Sequence, residues 1–123
     1  MAYFSHIIQP FVTVTASGNT HTINLDKSGN HYKVTANNAT NTIAFSNLDA
    51  TRIGKSGSII ITNPASVGSL GFAGLDSTLY TPGGSTINWD TTANAIAVLT
   101  YLVIASDKIL INYVGAFDSY PQP

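Results

Sequence analysis

Turn signals punctuate this chain at short intervals, and no apolar stripe of helical spacing survives between them. The segments "ASGN", "DKSGN", "NNATN", "KSG", "TPGGS" and "ASD" place Gly, Asn or Asp where the backbone must reverse. These residues tolerate a positive φ or close a turn with their own side chains. Between them lie runs rich in β-branched residues, the composition of strands. Candidate strands cover residues 11–15, 20–25, 31–36, 42–46, 58–62, 70–73, 78–81, 86–89, 95–104 and 108–114. Strands this short and this closely spaced predict an all-β, single-domain, antiparallel β-sandwich or jelly-roll-like fold over residues 13–115. An irregular N-terminal arm (1–12) and a C-terminal tail (116–123) flank it. The segment "DKSGNHYKVTA" predicts a hairpin with Gly29 and Asn30 near its tip.

Alternation shows which side of each strand faces inward. Tyr32 and Val34 oppose Lys33 and Thr35; Ile43 and Phe45 share a face; Ile109, Ile111 and Tyr113 oppose Leu110, Asn112 and Val114. These are half-buried strands. The runs "SIIIT" and "AIAVLTYLVI" differ, because they are apolar on both faces. A central strand of that kind needs a cover on its outer side, from a loop or from another subunit. The second face of the run at 95–104 is therefore the first place to look for a partner.

Charge is scarce. Only 9% of the 123 residues are Asp, Glu, Lys or Arg, against about 25% in an ordinary soluble domain, and there is no Glu. Ser, Thr and Asn take over the polar role. Hydroxyls and amides are cheaper to desolvate than ions and can pair again across an interface. The composition therefore predicts a chain that works by assembling. The apolar residues of the termini, Tyr3, Phe4, Ile7, Ile8, Phe11, Phe117 and Tyr120, are the candidate assembly contacts. Lys27, Lys33, Arg52, Lys55 and Lys108 are too few and too scattered to neutralise a phosphate backbone, so no nucleic-acid partner is expected. No membrane partner is expected either, since the longest apolar run falls short of the roughly 20 residues of a spanning helix. The first residues lack a basic segment and are interrupted by His6, Gln9 and Pro10, so synthesis in the cytoplasm without a signal peptide is expected. With no Cys, neither disulfides nor thiolate metal sites are available.

The motifs that suggest chemistry each have a plainer explanation. "IGKSG" (53–57) echoes the end of a phosphate-binding loop, but Asp49 occupies the position of the earlier Gly and a strand follows instead of a helix. His6, His21 and His31 lack metal-ligand spacing and alternate with apolar positions, as strand-surface residues do. Histidines would converge if the chain trimerised about an axis, since one His per subunit makes a ligand ring, but nothing except symmetry points to it. No G-x-S-x-G elbow is present, and the Asp residues sit among loop hydroxyls where they cap turns. "NAT" (38–40) reads as a turn. No catalytic residue, metal or cofactor is expected, and the chain is not expected to be an enzyme. Trp89 beside Asn88, with Tyr80 nearby, offers an alternative: an aromatic platform for a sugar ring, though a Trp at a strand end is more often a lid on the core.

Several segments together resemble a β-rich module of tailed-bacteriophage virion proteins, found in tail fibres and in small head-associated proteins. They are the "GKSGSIII" loop-to-strand junction, a Pro-Gly loop ahead of a Trp, "TTANAIAVLTY", and a strand ending in "NYVGAF". The upstream "THTINLDKSGNHYKVTANNATNTIAFSN" is similar to the first half of that module, so the likeness spans about residues 20–117. The resemblance implies a non-enzymatic virion structural protein. It would be a capsid decoration or cement protein bound to the outside of a phage head as a homotrimer, with the major capsid protein or other virion proteins as partners. The alternative it implies is a tail-fibre, head-fibre or spike module that binds a host receptor or glycan, with Trp89, Tyr80 and Asn88 as contacts.

Overall fold

The computed structural model describes residues 11–37, 40–64, 69–72, 78–89 and 92–117. Among these, nine strands form: β1 (Val12–Thr13), β2 (Thr20–Asn24), β3 (His31–Thr35), β4 (Thr40–Ser46), β5 (Ser56–Thr62), β6 (Ser69–Phe72), β7 (Leu79–Tyr80), β8 (Ile96–Ala105) and β9 (Lys108–Phe117). They build a six-stranded sheet of order β1-β3-β5-β8-β9-β7 and a three-stranded sheet of order β2-β4-β6. The mostly-β character is as expected, but the pairing is not. Successive strands up to β6 alternate between the two sheets, and each lies parallel to the strand two before it: β1 beside β3, β3 beside β5, β2 beside β4, β4 beside β6. β7 also runs parallel to β9. Only β5–β8 and β8–β9 are antiparallel. The first six strands thus wind as a flattened coil, and a hairpin extends one of its two sheets.

The expected hairpin at residues 26–36 is instead a corner between sheets. Asn24 turns the chain there: its Oδ1 accepts from the amide of Asp26 at 3.0 Å, and its carbonyl accepts from the amide of Lys27 at 3.2 Å. Tyr32 then enters the core and its hydroxyl donates back to the Asn24 carbonyl at 2.8 Å. Lys55 Nζ closes the corner from above, donating to the carbonyls of Lys27 and Gly29 at 2.9 and 2.8 Å. This is what the "GKSG" segment does: its lysine caps backbone oxygens, and strand β5 follows directly. Burial, with Arg52 close by, holds the Lys55 ammonium below its ordinary pKa. At the other end of the chain the "ASD" turn does make a hairpin, joining β8 to β9. β9 runs on through Phe117, which pairs with Ile96. That residue closes the sheet rather than opening an irregular tail. Residues 86–89 form no strand; they lie in a loop from which Ile87 and Trp89 pack against the core.

Side chains from both sheets meet in one buried cluster: Ile23 and Ile43 from the narrow sheet, with Tyr32, Val34, Ile59, Ile61, Leu99 and Ile111 from the wide one. Tyr32 and Tyr101 pack with tilted rings, centroids 6.2 Å apart, and Tyr101 Oη donates to the Asn30 carbonyl at 2.8 Å. Burial is the first cause that raises both phenols above their ordinary value of 10.0. An acid whose folded pKa is raised keeps its proton in the native state after the unfolded chain has lost it. Its contribution is therefore complete below pH 10 and declines as pH rises beyond. Urea titrations across that range are expected to show falling stability above about pH 10. The decline should be smaller in Tyr101→Phe, and an equal decline in the variant would contradict the assignment.

His21 departs from the surface position expected of it. It shares the inward side of β2 with Ile23 and is buried, its Nε2 3.1 Å from Asn41 Oδ1 on β4. The Asn41 oxygen also accepts the Asn37 amide at 3.0 Å, so the amide group orients the ring. His31 does lie on the outer side of β3, with Nδ1 2.7 Å from Ser58 Oγ.

Candidate functional site

β8 lies between β5 and β9, at the middle of the wide sheet. Its inward residues, Ala97, Leu99, Tyr101 and Val103, are buried in the core. Its outward residues, Ile96, Val98, Thr100, Leu102 and Ile104, are mostly apolar, and all but the half-buried Val98 are exposed. With their neighbours on β9 and β7 they form a patch comprising Ile96, Leu102, Ile104, Leu110, Val114, Phe117 and Tyr80, each exposed by between 38% (Leu102) and 52% (Phe117).

Pairing register arranges this face in layers across the strands. Ile96 stands opposite Phe117, Val98 opposite Val114, Thr100 opposite Asn112, and Leu102 opposite Leu110. β5 continues the layers with Thr62, Ile60, Ser58 and Ser56, and Tyr80 extends the last one beside Leu110. Each layer is either dominated by apolar residues or, at Ser58–Thr100–Asn112, made of hydroxyls and an amide. None of these positions carries a charge. Among the described residues beside this face, charges stand at its margins, at Lys33 on β3 beside Ile60 and at Asp107 and Lys108 at the end of the hairpin.

A cleft of about 430 Å³ opens at one end of the face, lined by Tyr80, Pro82, Thr100, Leu102, Leu110 and Asn112. Pro82, which lines the cleft, opens the tight turn Pro82–Gly84, with Gly83 and Gly84 at φ of 63° and 68°, values that favour glycine. Thr81 Oγ1 donates to the Ser85 carbonyl and Ser85 Oγ to the Pro82 carbonyl, which fixes the turn from both sides.

The residues singled out from sequence divide three ways. Tyr3, Phe4, Ile7, Ile8 and Tyr120 lie outside the described residues. Phe117 is on the apolar face. Phe11 is exposed at the opposite margin of the same sheet, beside the ring of His31 (centroids 6.0 Å apart) and 5.8 Å from Lys33 Nζ. The three sugar-platform residues do not converge on one cleft. Tyr80 lines the cleft above, while Asn88 and Trp89 line two others that flank the 81–89 loop. Trp89 is half-buried between the rings of Phe72 and Tyr113, at 5.7 and 5.5 Å, the geometry of a lid over the core.

Alternation in the sequence set Leu110 and Val114 on the outer side of β9, but on β8 it left Ile96, Leu102 and Ile104 undistinguished within a run apolar on both faces. Ile96, Val98, Leu102 and Ile104 occupy alternate positions of β8 on the side that Leu99 does not, interrupted by Thr100. No group of three His, Cys, Asp or Glu side chains that could hold a metal ion occurs among the described residues. No helix there is long and apolar enough to cross a membrane. Comparison of the chain with family models, with curated proteins and with solved structures gives no match.

Proposed function

We propose that this chain is a non-enzymatic structural protein of a tailed-bacteriophage virion, a capsid decoration or cement protein that binds the outer surface of the head as a homotrimer. The observation that carries the reading is the uncharged apolar face of β8, β9 and β7 on a chain with very few ions. Exposed apolar surface is costly in water and is recovered when it is covered by a neighbour. A nearly neutral hydroxyl-and-amide surface loses little on leaving water, so it suits contacts that stay closed once made. The resemblance to virion modules supplies the setting, with the major capsid protein as partner. Burial across joints between capsid subunits, at about 25 cal/mol per Å² of apolar area, adds several kcal/mol per site after association costs.

The test is calorimetry of phage particles with and without the protein, together with its copy number in purified virions. Decorated particles are expected to melt higher, and the protein should be present at one copy for every few capsid subunits. Particles equally heat-stable in both forms would refute a cementing role. A handful of copies per virion would move the protein to a tail fibre, head fibre or spike.

A further inference from the structure

We infer that the outer face of β5, β8, β9 and β7 is the surface on which copies of this chain pack against one another. This rests on the assembling role proposed above and names the surface that performs it. The layers decide the partner. In a closed assembly whose axis runs along the strands in front of this face, each layer meets only its own equivalents. Ile96 with Phe117, Ile60 with Val98 and Val114, and Leu102 with Leu110 and Tyr80 would then meet apolar groups. The middle layer would set the Asn112 amide, which both donates and accepts, against its own copies and the Thr100 hydroxyls. Any charge in these layers would face its own image at close range, a repulsion that such an interface avoids. None is there.

A charged partner would leave its ions unpaired on this face and pay their desolvation. Size agrees with self-packing. The seven exposed apolar side chains present on the order of 600 Å², at the upper limit for a monomer's largest patch and about three quarters of one partner's share of a standard interface. Packing of like on like also requires that the rim tolerate contact. Here the rim carries Ser56, Ser58 and Thr62 on β5, side chains that re-pair without ionic cost.

The experiment is sedimentation equilibrium on the purified chain, with no particles present. Wild type is expected to sediment at a multiple of its 12.9 kDa mass. The double variant Leu102→Asp/Leu110→Asp should fall to the monomer mass while keeping its far-ultraviolet circular dichroism. Thr22→Asp, an exposed site on β2 of the narrow sheet, should leave the multiple unchanged. Because the chain has no Cys, Asn112→Cys provides an independent measurement that does not depend on the double variant folding. It should form an inter-chain disulfide on mild oxidation, and Thr51→Cys, exposed outside this face, should not. A wild type that stays monomeric would overturn the inference, since the chain's own segments or a foreign partner would then be the cover. So would an oligomer that survives the double variant and fails to cross-link through Asn112→Cys. Such an oligomer would leave the decoration reading standing. Failure of the chain to bind particles would sink that reading without touching this interface.

Discussion

Gly57→Ala is expected to destabilise the chain by about 3 kcal/mol or more, at the top of the range for overpacking, and to lower its melting temperature by about 10 °C. A Cβ built on Gly57 would stand 1.8 Å from the Asn30 carbonyl oxygen and 2.7 Å from its carbon. Those are backbone atoms, which cannot swing aside as a side-chain tip does. The same oxygen already accepts two hydrogen bonds, from the Ser58 amide at 3.2 Å and from Tyr101 Oη at 2.8 Å. Displacing it would open the corner before β3 and leave a buried phenol without its acceptor, so the clash reaches two elements at once. Gly71→Ala is the control. A Cβ there meets nothing within 4 Å, and stability should change by less than about 0.5 kcal/mol. Urea denaturation of both variants checks this. A Gly57→Ala protein as stable as wild type would mean that β3 and β5 do not approach as described.

The second large effect separates the two faces of β8. Leu99→Ala should cost about 3–4 kcal/mol, because the side chain is fully buried between its neighbours on β5 and β9 and its removal leaves a cavity the sheets cannot close. Leu102→Ala, three residues on and facing outward, should cost under about 1 kcal/mol when measured on dilute, dissociated chains. Chemical denaturation at low protein concentration gives both numbers. Equal costs would mean that the register of β8 is shifted by one residue, which would exchange its faces.

Period-two alternation made the inward residues of β3 and β9 legible from sequence, whereas β8, apolar on both faces, gave no such sign. Alternation says which way a side chain points; it carries no information about which strand lies alongside. The "DKSGN" segment has the same turn chemistry whether it reverses the chain within a sheet or carries it to another. What makes it a corner is Tyr32 reaching back to Asn24 and Lys55 reaching across from the start of β5. The burial of His21 was hidden for the same reason, since its partner Asn41 lies on the next strand of the narrow sheet. The candidate surface was half visible: two-faced apolarity marked β8, while the layers that extend the patch to β9 and β7 exist only in the pairing register.

The alternation of strands between two sheets has a consequence for how such a chain can change over generations. Within the coil each strand pairs only with the strands one winding before and after it, so a winding can be added or deleted without disturbing the rest. β8 and β9, by contrast, turn the direction of the wide sheet and bring the lengthening to a stop. A lineage could therefore make taller or shorter versions of this body while the stopper, and the water-averse panel it displays, passed down unaltered.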